Sequence, residues 1–136
     1  MARRKLKFEY AIICDDIRQE ISNKLSFIGI YGKDIFVSKI PFTFPKLCFA
    51  ILYKDIKGED SFSIELITPS GRQLGKTING SVPKEIKGNI YFNMFAIFSP
   101  LTIRQEGSHK LVITFNNDTK TKREVEFVIK KPDKNS

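Results

Sequence analysis

Apolar side chains return at every second position along most of this chain, and nowhere does a helical period hold for three turns. Successive side chains of an extended strand point to opposite faces, so a two-residue period marks strands with one face in oil and one in water. Leu6, Phe8, Tyr10, Ile12 and Cys14 alternate with Lys7, Glu9, Ala11 and Ile13, which predicts a first strand with the former set buried. Residues 25–31 form a second strand, reached through a turn at Ser22-Asn23, and 34–37 a short continuation. Residues 46–53 are apolar on both faces, the mark of a central strand.

The pattern continues through Phe62, Ile64 and Leu66. Thr68-Pro69-Ser70-Gly71 then sets proline second and glycine fourth in a turn, which predicts a hairpin into residues 73–78, and Asn79-Gly80 signals another turn. Residues 89–98 are the most apolar segment. Ile90, Phe92, Met94, Ala96 and Phe98 share one face and Tyr91, Asn93, Phe95 and Ile97 the other, which suits a buried strand or half of an oligomer contact. Residues 110–115 and 124–130, joined by Asn116-Asn117-Asp118, make a closing hairpin. Many short strands without helical interludes predict an all-β, antiparallel two-sheet β-sandwich, immunoglobulin-like, of about seven to nine strands. Residues 1–130 are expected to form this single domain and 131–136 a flexible C-terminal tail.

One stretch is more particular. Cys14-Asp15-Asp16-Ile17-Arg18-Gln19-Glu20, then Lys24-Leu25-Ser26-Phe27-Ile28-Gly29-Ile30-Tyr31, then Pro41-Phe42 and Phe44-Pro45-Lys46-Leu47-Cys48, resembles a family of small bacterial proteins known only as a domain of unknown function. The resemblance is concentrated in the first 50 or so residues, and Ser22-Asn23-Lys24 replaces a glycine-rich turn before the lysine. It implies a β-sandwich and a bacterial cytoplasmic setting, and brings no activity and no catalytic residue.

Chemistry-bearing groups are sparse. The lone histidine, His109, follows Gly107-Ser108 and is expected as an exposed turn residue, and neighbouring Ser108 makes no triad with it. Two cysteines, Cys14 and Cys48, lack metal-ligand spacing and read as small buried hydrophobes in a reducing compartment. No phosphate-cradling glycine motif occurs, so the sequence offers no catalytic residue, no cofactor site and no metal site. Gly29, inside a strand, marks a bulge or a close backbone approach. The segment 15–20 is read as a charged loop between two strands, with Asp15, Asp16, Arg18 and Glu20 as a candidate interaction loop.

The formal charge is +8, with basic clusters (Arg3, Arg4, Lys5 and Lys7; Lys120, Lys122, Arg123, Lys130, Lys131 and Lys134) toward the two ends. Lysine guarding sheet edges accounts for them more simply than a nucleic-acid or lipid footprint. The first expectation is a non-enzymatic interaction module that binds a protein partner or a second copy of itself. Two rivals stand beside it: an electrostatic binder of nucleic acid or anionic lipid through the basic termini, and a calcium- or sugar-binding sandwich using Asp15, Asp16, Asp55, Asp60 and Asp118. The aromatic set Tyr91, Phe92, Phe95 and Phe98 is read as core or dimer contact rather than a base-stacking platform. No apolar run reaches the length of a membrane span, and a cytoplasmic location is expected.

Overall fold

The computed structural model describes residues 6–86 and 91–132. Its strands are β1 (Lys7–Gln19), β2 (Leu25–Tyr31), β3 (Asp34–Phe36), β4 (Phe42–Phe44), β5 (Leu47–Lys54), β6 (Ser61–Ile67), β7 (Ile78–Ser81), β8 (Tyr91–Phe98), β9 (Leu101–Ile103), β10 (Gly107–Phe115) and β11 (Asp118–Lys130). The fold is all-β. Eleven strands among the described residues exceed the seven to nine expected, because short connections such as β3, β4 and β9 pair as well.

A first sheet runs β2-β1-β5-β8, a second runs β3-β11-β10-β6-β7, and β4 pairs with β9 apart from both. The first sheet is antiparallel throughout, with the doubly apolar β5 in its interior as its sequence predicts. The second is mixed: β3 crosses over from β2 and runs parallel to β11, so the expectation of a purely antiparallel domain is corrected at this one pairing.

Alternate residues of both sheets enter one buried cluster. Phe49, Ile51, Met94 and Ala96 come from the first, and Ile64, Leu66, Leu111, Ile113, Phe127 and Ile129 from the second. Rings bridge the two sets, with centroids 5.6 Å apart for Phe49 and Phe127 and 4.9 Å for Tyr53 and Phe115. Each such side chain removed from water contributes about 1.5–3 kcal/mol, which holds two sheets of marginal individual stability together.

Three local expectations change. The register slips between Phe8 and Tyr10, so Ala11 and Ile13 take the core side and Tyr10 turns outward; one extra residue in β1 reverses the phase of everything after it. Asn79-Gly80 is not a turn: it lies in β7, where Gly80 pairs with Phe62 and the Phe62 ring fills the place a side chain would occupy. The turn at 68–71 forms, with Gly71 at φ 86° donating to the Thr68 carbonyl at 2.9 Å, and the return strand is later than expected: Gln73 makes an isolated bridge to Ile67, and regular antiparallel pairing with β6 resumes only at Ile78, opposite Ile64, where β7 begins. The hairpin at Asn116-Asn117 forms as predicted, both residues at positive φ, and the turn at Ser22-Asn23 likewise. Ile90, within the apolar segment, and the basic residues Arg3, Arg4, Lys5 and Lys134 lie outside the described residues, as do the last four residues of the expected tail.

Candidate interaction surface

The residues singled out as an interaction loop belong mostly to a strand. Asp15, Asp16 and Arg18 continue β1, with Asp16 opposite Ile28 and Arg18 opposite Ser26, and only Glu20 lies beyond it. A run of charges reads as a loop, yet charges suit a strand whose outer side meets water, and β2 supplies the backbone partners. Alternation then separates the two aspartates. Asp15 lies on the side of Ile13, where the Tyr31 hydroxyl donates to its carboxylate at 2.5 Å and Gly29, at φ 69°, leaves the space the carboxylate takes. Burial, and then the Asp15 carboxylate, pushes the Tyr31 hydroxyl up to about 12. The close approach expected at Gly29 is thus this one.

Asp16 lies on the opposite side. It accepts from Lys46 Nζ at 2.6 Å, from Arg18 Nε at 3.3 Å and from the Ile17 N–H at 3.0 Å. Lys46 first, then Arg18, holds its carboxyl below the usual range. Glu20 joins neither group; its N–H donates to the Lys24 carbonyl across the short turn. Lys46 is the member of this cluster that the sequence did not bring out, since it lies thirty residues away.

The calcium candidates stay apart as well. Asp60 is buried, accepting from the Lys57 N–H at 2.9 Å and the Asn116 amide at 3.1 Å, where it ties the β5–β6 connection to the β10–β11 turn. Asp118 accepts from the Lys120 N–H within its own strand. Among the described residues no three His, Cys, Asp or Glu side chains assemble as a metal site. His109 is corrected: it is 1% exposed on the core side of β10, stacked on Phe127 at 5.4 Å, its Nδ1 3.0 Å from the Gly107 carbonyl. Burial lowers its pKa. Strand β10 begins at Gly107, so the turn residue of the sequence reading is a core residue.

What the register does bring together is the outer side of the first sheet. Leu47, Phe49, Ile51 and Tyr53 of β5 face the core, so the alternate residues and their cross-strand partners face away from it. Row by row these are Ile28 and Asp16; Ile30, Cys14, Cys48 and Ile97; Ile12, Ala50 and Phe95; Tyr10, Leu52 and Asn93; Lys7, Lys54 and Tyr91. Eight large apolar side chains are exposed among the described residues, and six of them, Tyr10, Ile28, Ile30, Tyr91, Phe95 and Ile97, are on this one side. Charge is confined to the ends of the strands. Asp16, Lys46 and Arg18 hold one end, and Lys54, its Nζ 5.7 Å from the centre of the Tyr91 ring, holds the other together with Lys7 opposite it, which meets Glu9 at 3.6 Å.

Cys14 and Cys48 face each other across β1 and β5 in the middle of this surface, fully buried beneath their larger neighbours. Their thiols donate to the carbonyls of Asp16 and Asp15, and burial pushes both pKa values up, which keeps them protonated as the sequence reading of small hydrophobes requires. Gly and Cys at the sheet's centre were legible one by one. The continuous face was not, since it depends on which strands are neighbours.

A family model described as a family of unknown function (DUF6941) matches residues 9–128. No curated protein matches the chain. Among the described residues no helix is long and apolar enough to cross a membrane.

Proposed function

Since the chain belongs to the family of unknown function DUF6941, a membership that carries no activity with it, we propose its role from its own surface: a non-enzymatic interaction module, a β-sandwich whose first sheet offers its outer side to a protein. The observation that carries this reading is the collection of six exposed large apolar residues on one four-stranded face. Isolated surface hydrophobes are ordinary, whereas a contiguous set rimmed by charge is the usual mark of a contact surface. The sandwich reading rests on the shared cluster and on the rings that bridge the two sheets.

A photo-crosslinking amino acid at Phe95, compared with one at Thr114 on the outer side of the second sheet, tests the reading in the cell that makes the protein. Adducts are expected from position 95 and not from 114. No adduct at 95, or equal adducts at both, would refute it.

A further inference from the structure

Resting on the reading that the first sheet meets a protein, we infer that what it binds is a single extended segment of another polypeptide, added as a fifth strand along the free edge of β8. The first argument compares the edges. Each sheet ends in two strands with a row of unpaired backbone groups, and proteins ordinarily guard such rows with short strands, charges, prolines or distortions. Strands β3 and β7 are three and four residues long. Strand β2 is interrupted at Gly29, which its ladder with β1 skips. Strand β8 has none of these devices: its eight residues hold no charge, proline or glycine and pair with β5 without a shift. Among the described residues β5 is its only ladder partner. Alternate residues of such a strand turn N–H and C=O away from the sheet, and another extended backbone is what matches that row along its length.

The second argument is room. Arg123 of β11 lies over the ring of Phe8 of β1, 4.3 Å from its centre, and Tyr53 of β5 meets Phe115 of β10. The two sheets therefore run in step, and β8, next after β5, reaches as far as β6. The five-stranded sheet projects one strand farther, which makes β7 a shelf with no strand of the first sheet opposite it. The core side of this shelf is apolar: Ile78 of β7, Phe62 of β6 and Leu74 in the approach to β7 pack against the core and are only half-buried. A strand bonded to β8 about 4.8 Å away lies over the shelf, with alternate side chains on Ile78 and Phe62 and the rest level with Phe95 and Ile97. The segment that fits is therefore apolar on both sides, as strands covered on both faces are.

The same projection argues for a lone strand. A second copy offering its own β8 antiparallel would drive each β7 into the other's β6, whereas one strand without a second layer beneath it meets no obstacle. At the Tyr91 end of β8 stand Lys54 and Lys7, so an acidic residue at that end of the segment finds an opposite charge.

Photo-crosslinking amino acids at Phe95 and at Ile30, in the cell that makes the protein, test this, because the two positions stand on opposite edge strands of the first sheet, about 14 Å apart. Adducts are expected at 95 and not at 30, and should map by mass spectrometry to one segment of about ten residues in another protein. A synthetic peptide copying that segment should bind the full chain with a Kd on the order of 10 µM. N-methylation of alternate backbone amides of the peptide should weaken binding about tenfold or more for the set that faces β8 and less than about threefold for the other set, a difference that docking through side chains alone does not produce. Equal adducts at 95 and 30, an adduct of the chain to itself, a peptide that fails to bind at about 1 mM, or equal effects of the two methylated sets overturns the added strand while leaving the interaction reading intact. No adduct at 95 loses both.

Discussion

The two sheets share a core and differ on the sides they turn away from it. On the second sheet the outer positions carry paired charges among scattered apolar residues (Phe36, Ile67, Val112 and Val128): Lys33 meets Glu126 at 2.8 Å, Lys130 meets Asp34 at 3.1 Å, Lys110 meets Glu124 at 3.2 Å, and Ser108 donates to Glu126 at 2.7 Å. On the first, the equivalent positions are isoleucine, phenylalanine and tyrosine with charges only at the strand ends. The same alternation builds both, so the difference lies in what occupies the outer phase. A sheet finished for water fills that phase with ions that pair across strands. The first sheet has been left unfinished in that sense, and a partner surface would complete it.

The largest effect that would sharpen the contrast is at glycines of the two sheets. Gly29→Ala asks an L side chain to adopt φ 69° and to occupy the space of the Asp15 carboxylate, so both strain and displacement count. A stability loss of about 2–3 kcal/mol is expected in urea unfolding. Adding Asp15→Ala should return part of it, because the two side chains then no longer compete. Gly71→Ala, in the turn that leaves the second sheet, has φ 86° and open space around it, and should cost about 1 kcal/mol from strain alone. Equal losses at the two glycines would show that the carboxylate is not held against β2.

Next comes the buried side of the second sheet's central strand, β10. His109 has its pKa lowered by burial, so the folded state disfavours the imidazolium. Its contribution is therefore fully present above the unfolded value of about 6.5 and is lost as pH falls below it toward the folded pKa. Thermal unfolding between about pH 7.5 and 5 should show a falling Tm that His109→Phe flattens. Asp16 and Glu126, whose folded pKa values are lowered by their cationic partners, act in the other window: their contributions hold above about 3.8 and 4.5 and disappear below. A Tm unchanged between pH 7.5 and 5 in the parent would mean that the imidazole is solvated.

A smaller gain is expected inside. The Tyr53 hydroxyl is buried without a hydrogen-bond partner among the described residues, while its ring packs edge-on against Phe8 and Phe115. Burial pushes that hydroxyl up to about 12. Tyr53→Phe keeps the rings and removes the unsatisfied group, so unfolding in urea should show about 1 kcal/mol more stability. A loss instead would indicate a partner for the hydroxyl.

Period and turn chemistry made much of the fold readable. The alternation in β5, β8, β10 and β11 and the turn at Asn116-Asn117 stand where the sequence puts them. Two kinds of information were beyond it. Phase inside β1 depends on one extra residue near Glu9, which period-two counting cannot see until the register with β5 is known. Neighbour choice between strands decides everything at the surface: Lys46 reaches Asp16 and Phe95 lies beside Ala50 through pairings of residues far apart in the chain. The acidic segment was noticed for its charge, yet the surface it borders is made by residues without any. His109 was misplaced for a related reason, since a histidine after Gly-Ser resembles a turn until its alternation with Leu111 and Ile113 is given priority.

The smallest effect tests the finished sheet. Lys33 and Glu126 are both substantially exposed, and each loses side-chain freedom to hold a 2.8 Å contact. Exposed pairs of this kind contribute about 0–1 kcal/mol, less as salt rises. Glu126→Gln should therefore lower stability by at most about 1 kcal/mol at low salt, with the difference from the parent vanishing near 1 M sodium chloride. Ile97→Lys on the first sheet, 48% exposed and without an ionic partner to lose, should change the stability of the monomer by no more than about 0.5 kcal/mol at either salt. If Ile97→Lys instead destabilised the monomer as a core substitution would, its side chain would already be covered within one chain, and the distinction between a finished and an open sheet would fail at its simplest point.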